Sequence, residues 1–446
     1  MYSEAVQKTL SKSGIRIGDR ITVSKDKNIY EGLLMPRIEV GDPNSIVLKL
    51  DSGYNIGIKF AKGIKVGKSH KREPEEIKEE VRFEMGKERV RGLKFDKTKP
   101  PVTLIVTGGT IISRVDYKTG GVAPLESPEE LLANVPELTK IINLRKIIIP
   151  FRKASEDLDH MDWQKLAAVI AKESNESEGF IIAHGTDTMH FTSAALSFML
   201  KDVTKPVVLV GSQRSGDRGS SDAWMNLICA AYLSISDIAE VGICMHGETS
   251  DTFCYFHRGT RVRKTHATRR DAFQSFEDKP IAKVFPNGQI NSLSNYKKRT
   301  NRSMMADTSY DPKVALIKVY PDSDPGILDY YLQKKYRGIV IEGTGMGHVP
   351  TKASKSWIPA IKHVTKSGIP VVITTQTLYG RVHSNVYENL RILYNETGAI
   401  SGEDMLPEVA LVKLGFVLGH KHKNLDEIRK MMLTNIAGEI TERTVV

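Results

Sequence analysis

The stretch Val102-Thr103-Leu104-Ile105-Val106-Thr107-Gly108-Gly109-Thr110-Ile111 decides how the remaining residues are read. A short apolar run ending in glycines predicts a buried strand followed by a tight turn. The paired glycines let the backbone reverse sharply and let a ligand come close to it. They leave the Thr110 hydroxyl at the mouth of the strand, where open α/β sheets bind ligands. A phosphate loop is disfavoured, because the Gly-Lys-Ser/Thr ending that such loops require is missing. Taken alone, the turn is equally an ordinary strand-to-loop connection with incidental threonines.

A second turn, His184-Gly185-Thr186-Asp187-Thr188-Met189, follows the apolar run 179–183 and precedes a helical pattern from about His190. Two strand–turn–helix units of this kind open at the same edge of one sheet. A hydroxyl beside a carboxylate there suits nucleophile activation or recognition of a substrate ammonium group. The competing reading makes Thr186, Asp187 and Thr188 a helix N-cap cluster, which these residue types favour.

Outward from these turns, strand-like runs recur at 102–106, 146–150, 179–183, 206–210 and 240–245. Helix-like segments lie between them, at about 161–173, 190–200 and 222–233, with another opening at Ser127-Pro128-Glu129-Glu130. This alternation predicts a parallel sheet with helices on both faces. A second α/β block begins near Asp311, with strands at 314–319, 338–342 and 370–375 and helices at 325–335, 355–366, 407–418 and 424–436. The segment from about 285 to 310 is the expected connection.

Ahead of Pro100 the pattern differs. A helical start (2–13) gives way to short alternating runs at 20–23, 29–38, 45–50 and 55–60, separated by turn clusters. That spacing predicts a small all-β barrel-like domain over 1–70. Residues 71–99 hold ten Lys/Arg and eight Asp/Glu, a mixed-sign composition that reads as a solvated linker. The α/β domains are then expected over 100–300 and 301–446.

The 446-residue chain carries a net charge of +11, which favours a polyanionic partner through counterion release and steering. No apolar run is long enough for a membrane helix, and the N-terminus lacks a signal pattern. Cys229, Cys244 and Cys254 sit at no metal-ligand spacing and read as buried small hydrophobes. A cytoplasmic protein without a metal site is the expectation. His184 and His190 lack the i,i+4 spacing of a zinc site, and Gly343-Thr344-Gly345-Met346-Gly347 departs from the dinucleotide fingerprint.

The two turns together resemble the signature motifs of the bacterial-type asparaginase/glutaminase family. Further similarity lies at Ser155-Glu156-Asp157, Gly211-Ser212-Gln213-Arg214 and Lys264-Thr265. The resemblance implies a two-block asparaginase-like fold from about Pro101 onward. It implies that Thr110 attacks a side-chain carboxamide and that Tyr117, on a lid, bonds to Thr110. It implies that Thr186, Asp187 and Lys264 form a second polar triad, and that Ser155, Glu156 and Asp187 hold the substrate's α-groups. Which threonine attacks first stays open. By composition alone, Lys264 would belong to a basic surface stripe running from Arg258 to Arg270, and Tyr117 would be a plain loop aromatic. Asparagine-selective members commonly carry glutamine where this chain has Glu156, which tilts the substrate toward glutamine.

The full layout, with Arg16-Ile17-Gly18-Asp19-Arg20-Ile21 in the barrel and the tail from Leu433 to Ile440, is similar to the asparaginase-like, D-type subunits of the archaeal glutamyl-tRNA(Gln) amidotransferase family. That resemblance implies a protein that hydrolyses glutamine and hands ammonia to a partner, the E-type subunit of the amidotransferase. The partner would use ATP and magnesium to convert Glu-tRNA(Gln) to Gln-tRNA(Gln) within a D2E2 heterotetramer built on a homodimer of this chain. No cofactor is expected in this chain itself. A stand-alone L-asparaginase and a non-catalytic tRNA-binding scaffold are the alternatives.

Overall fold

A computed structural model of the chain describes residues 2–26, 28–35, 42–50, 55–69, 81–82, 89–90, 96–109, 111, 113–115, 122–124, 135, 137–216, 220–422 and 424–443. Thr110, Tyr117, the helix expected at Ser127-Pro128-Glu129-Glu130 and most of the charged segment 71–99 lie outside the described residues.

Near the N-terminus, helix α1 (Glu4–Lys12) starts where the Ser3 hydroxyl accepts a bond from the Val6 amide, and it buries Val6 and Leu10 on one stripe. It packs on a five-stranded antiparallel sheet: β1 (Arg20–Lys25), β2 (Asn28–Leu34), β3 (Ser45–Lys49), β4 (Asn55–Lys59) and β5 (Lys65–Lys68), in the order β4-β3-β2-β1-β5. Alternation sends Ile21, Val23, Ile46, Leu48 and Ile58 into a common core with Val6 and Leu10. Strand β5 is absent from the expected strands because its four residues hold two lysines and a glycine. Its pairing with β1, Val66 opposite Val23, supplies the order that its composition does not.

The first α/β block is built on an eight-stranded sheet. Its strands are β6 (Pro101–Val106), β7 (Asn143–Ile148), β8 (Gly179–Ala183), β9 (Val207–Val210), β10 (Val241–His246), β11 (Cys254–Arg258), β14 (Ala282–Val284) and β15 (Ile290–Ser292). Strands β12 (Val262–Lys264) and β13 (Phe273–Ser275) form a separate hairpin beside this sheet. The sheet order is β7-β6-β8-β9-β10-β11-β14-β15. Its first five strands are parallel. These are the five strands that the sequence pattern predicts, and the last three, which it does not predict, are antiparallel. Residues 247–253 are too few for the crossover a parallel neighbour requires, so β11 returns antiparallel to β10.

Helices cover both faces of this sheet. The capped helix α2 (His160–Glu173) and α3 (Met189–Met199) bury Phe180 and Ile182 of β8, while α4 (Ala223–Ser234) buries Ile181 and Ala183. Burial on both faces explains why the parallel strands read as unbroken apolar runs.

The second block is a parallel sheet, β16 (Val314–Lys318), β17 (Gly338–Gly343), β18 (Val371–Thr375) and β19 (Ile400–Ser401), with α5 (Ile358–Lys366) among its helices. A later helix, α6 (Pro407–Leu418), is buried on nearly all sides. Its Val409, Val412 and Phe416 join the core of the first block, while Ala410, Leu414 and Val417 join the core of the second. Helix α7 (Leu425–Leu433) packs on it. Among the described residues, no helix is long and apolar enough to cross a membrane.

Candidate active site

Register sets the site. In the parallel pairs, Ala183 of β8 lies opposite Val106 of β6 and Val210 of β9, so three turns leave the sheet level with one another. The Thr107 amide and hydroxyl both bond to the Ala183 carbonyl at 3.0 Å, and the His184 amide bonds to the Val210 carbonyl at 2.9 Å. A fourth segment closes in from the side. The Lys153 amide donates to the Thr107 carbonyl (3.0 Å) and its ammonium to Asp162 of α2 (2.7 Å), which holds the short 3-10 turn Ser155–Asp157 against the others.

The glycines let these turns meet backbone to backbone. Gly109 has φ of 90°, and a β-carbon there would collide with the Cα and amide nitrogen of Gly185. A β-carbon on Gly185 would stand 2.8 Å from Cβ of Ser155. Gly109→Ala is therefore expected to push the two signature turns apart, since it adds a strained φ to a backbone clash. Turnover should fall at least tenfold and the melting temperature should drop, read by steady-state assay and thermal melt of the same preparation.

Thr186, Asp187 and Lys264 come together. Lys264 ends β12, and its Nζ donates to Thr186 Oγ1 at 2.9 Å and to Asp187 Oδ1 at 2.7 Å. The lysine side chain is 9% exposed and the aspartate side chain 67%, so the cation is tucked under a carboxylate that opens to solvent. Gly211 fixes the threonine rotamer, for a β-carbon there would lie 2.7 Å from the Thr186 methyl. Thr188 stands at the N-cap of α3 but makes no side-chain cap. Its hydroxyl donates instead to the Ser155 carbonyl (2.6 Å), so this cluster ties turns together rather than capping a helix. Ser155 is buried, with Oγ 3.5 Å from Glu156 Oε2. That places Ser155, Glu156, Thr186, Asp187 and Lys264 on one group of turns.

The basic stripe expected over Arg258–Arg270 is corrected in part. Arg261 is buried and bonds to the Asp404 carboxylate (3.1 Å) and the Gly438 carbonyl (2.9 Å), and Arg258 pairs with Glu240 at 2.9 Å. Non-local acidic partners, invisible in the local run, draw these side chains inward.

Sequence reasoning weighed His184 only as a zinc ligand and did not single out the other groups behind the turns. Fully buried His184 donates from Nδ1 to the Gly185 carbonyl (2.6 Å) and accepts at Nε2 from Thr192 (2.9 Å), whose oxygen also receives the Trp163 indole N–H (3.1 Å). Asp222, just before α4, accepts the Gln213 and Arg214 amides at 2.9–3.0 Å. The only signal for it was an aspartate at a helix start, which ordinarily reads as a cap.

Burial lowers the pKa of His184 from 6.5 to about 4, and those of His190 and His257 to about 3. The unfolded chain then binds more protons than the native one below pH 6.5, so stability rises with pH across that range. Their contribution is complete above about pH 6.5 and is lost as pH falls toward 4, by at most about 1.4 kcal/mol per pH unit per histidine. Melting temperatures measured from pH 8 to 4.5 should be level near neutrality and fall steeply below pH 6.5. A flat profile would contradict these neutral, buried rings.

Fold and site together define a protein of the asparaginase class. The family model described as "Asparaginase, N-terminal" matches residues 101–298, "Glutaminase/Asparaginase C-terminal domain" matches 313–432, and "GatD N-terminal domain" matches 15–68. The chain superposes on the thermostable L-asparaginase from Thermococcus kodakarensis with a TM-score of 0.67 and 32% identity, covering 76% of this chain and 99% of that one. Against L-asparaginase I from Vibrio cholerae the TM-score is 0.66, with 27% identity over 77% and 99% of the two chains. The D-type subunit of the glutamyl-tRNA(Gln) amidotransferase from Pyrococcus horikoshii is 49% identical over 98% of each chain. That of Methanopyrus kandleri is 44% identical, over 98% of this chain and 94% of its own. The chain belongs to the GatD family, the D-type subunits of glutamyl-tRNA(Gln) amidotransferase.

Proposed function

We propose that this chain hydrolyses glutamine and supplies the ammonia for a tRNA-dependent amidotransferase. The observation that carries the reading is the contact of Lys264 Nζ with both Thr186 Oγ1 and Asp187 Oδ1 at the meeting point of the glycine turns. A threonine hydroxyl is a weak nucleophile and needs a neighbouring base or polarising network. Thr110, next in the chain to Gly109, attacks the side-chain carboxamide, with Tyr117 as its hydrogen-bond partner. The carboxamide carbon gains the Thr110 oxygen and loses ammonia, which takes up the displaced proton. Water then cleaves the ester to release glutamate and restore the hydroxyl. Lys264 and Thr186, in contact at the site edge, form the path by which a proton is moved there. Backbone amides of the turns stabilise the oxyanion, a contribution of about 3 kcal/mol per donor. Ser155, Glu156 and Asp187 hold the α-carboxylate and α-ammonium groups, the exposed Asp187 carboxylate suiting the ammonium.

Near-full-length similarity to GatD proteins, including the match over 15–68, supports the amidotransferase role over a free asparaginase. In that role the chain forms a homodimer within a cytoplasmic D2E2 assembly. The E-type partner, with ATP and magnesium, amidates Glu-tRNA(Gln). Free ammonia is mostly protonated at neutral pH and then no nucleophile, which favours a protected route between the two proteins.

Ammonia release from glutamine and from asparagine, by this chain alone and with the E-type partner, ATP, magnesium and Glu-tRNA(Gln), tests the reading. Glutamine hydrolysis that rises with the full set and disappears in Thr110→Ala supports it. Partner-independent activity with asparagine preferred would make the chain an asparaginase. Tight tRNA binding with no effect of Thr110→Ala would make it a scaffold.

A further inference from the structure

A chain of hydrogen bonds, buried at Asn226 and His246 and opening to solvent at Asp251, runs behind the site and joins the two sides of the Thr186–Lys264 contact. On one side, Asn226 of α4 donates Nδ2 to the Gly211 carbonyl (2.9 Å) and to Asp222 Oδ2 (3.1 Å). Both partners are acceptors, so the amide nitrogen faces them and Oδ1 faces away. The Cys254 thiol, a donor 3.3 Å from Oδ1, agrees with that orientation.

Oδ1 lies 2.6 Å from Nδ1 of His246, a fully buried residue at the end of β10, whose Nε2 lies 2.9 Å from Asp251 Oδ1. Arg270 Nη1 donates to that same Asp251 oxygen at 2.7 Å, and Nη2 donates to the Thr249 carbonyl. Both ring nitrogens of His246 therefore face acceptors. A ring with a single proton would set one nitrogen lone pair against an acceptor's, whereas a ring with two protons satisfies every partner. Asp222, Asp251 and Arg270 are the charged groups of this network, and Cys254 is the thiol that meets it.

The two ends explain its position. Gly211 backs the catalytic threonine, since a β-carbon there would meet both the Thr186 methyl and the His184 carbonyl. Arg270 belongs to the turn of the β12–β13 hairpin, which carries Lys264 and is closed by the Thr265 amide on the Ala272 carbonyl at 2.7 Å.

We propose that His246, protonated on both ring nitrogens, is a positioning residue that bridges Asn226 and Asp251 and so holds Thr186 and Lys264 at hydrogen-bonding distance. The kinetic part rests on the glutaminase reading above, and the protonation part does not. Full-length protein labelled with 15N-histidine, its His246 signals assigned by their loss in His246→Asn, should show two protonated ring nitrogens near pH 7. A single protonated nitrogen would overturn the bridge.

Asp251→Asn, assayed as full chain where the variant stays folded, should lower kcat about tenfold with KM within about twofold, as misplacement of reacting groups does. Arg270→Lys, which keeps a cation on Asp251, should restore most of what Arg270→Ala loses. Unchanged kcat in Asp251→Asn, or a loss confined to thermal stability, would refute the positioning role. Absence of glutamine hydrolysis in the unmodified protein would instead refute the glutaminase reading, and the ring protonation would still be decided by NMR.

Discussion

Lys264→Met is expected to lower kcat for glutamine hydrolysis about 1,000-fold while shifting KM only a few-fold. Methionine fills a similar volume but offers no proton-carrying group, so the 2.9 Å and 2.7 Å contacts to Thr186 and Asp187 both vanish. Loss of a positioned acid–base group ordinarily costs between about 10² and 10⁴ in rate, and here the same nitrogen also holds a carboxylate in place. In the proposed function Ser155 and Glu156 still hold the substrate, so the effect should fall mainly on turnover, with the few-fold KM shift coming from a less firmly held Asp187. Stability should change little, because Asp187 is mostly solvent-exposed and keeps its hydration when the ammonium leaves. Steady-state ammonia release with a parallel melt distinguishes the outcomes. Activity within tenfold of the parent would remove Lys264 from the machinery.

The largest effect on stability is expected at the other end of the chain. Lys413 of α6 and Glu439 form an ion pair of 2.5 Å in which neither side chain reaches solvent. The ammonium also bonds to the Met432 and Thr434 carbonyls at 2.8 and 2.7 Å, and the carboxylate receives the Ile436 and Ala437 amides at 3.0 and 2.6 Å. Burial lowers the lysine pKa in spite of the carboxylate, a sign that desolvation outweighs the pairing. Glu439→Ala would strand a buried cation and the backbone amides that the carboxylate receives, which costs about 3–5 kcal/mol. The C-terminal tail should then detach, with an earlier unfolding transition in calorimetry. The double change Lys413→Met with Glu439→Leu should recover much of the loss, since it removes both charges together. A single variant as stable as the parent would mean that the tail contributes little to the fold.

This clamp also accounts for the tail run from Leu433 to Ile440, which sequence resemblance flagged without a reason. Asn435, Gly438 and Glu439 make local bonds that curl the tail back. Arg261 of the first block reaches the Gly438 carbonyl, while Asp404 accepts the Thr441 amide at 3.1–3.2 Å. One short segment thus joins both blocks around α6.

Much of the framework was legible because its signals are local. The runs at 179–183 and 407–418 match β8 and α6 in full, since a strand buried on both faces is wholly apolar and a helix buried nearly all round is mostly so. The glycine turns and the Thr186-Asp187 pair were legible too, since tight turns demand particular residues. The antiparallel strands 254–258, 282–284 and 290–292 were not, being short and mixed with polar residues. Nor were β5 and the helix Glu388–Thr397, whose residues mix apolar and polar types without a clear boundary.

Local chemistry alone thus specified two glycine turns at the ends of buried parallel strands, with hydroxyls and a carboxylate placed on them. Periodicity and turn preferences act over a few residues, so they survive in the bare string. It took the folded chain to bring Lys264, 78 residues beyond Thr186, back to within 2.9 Å of it. There too Arg261, Lys413 and His246 find the partners that let a polar or charged group be buried at all. Those partners lie far away along the chain, and desolvation has no counterpart in local composition.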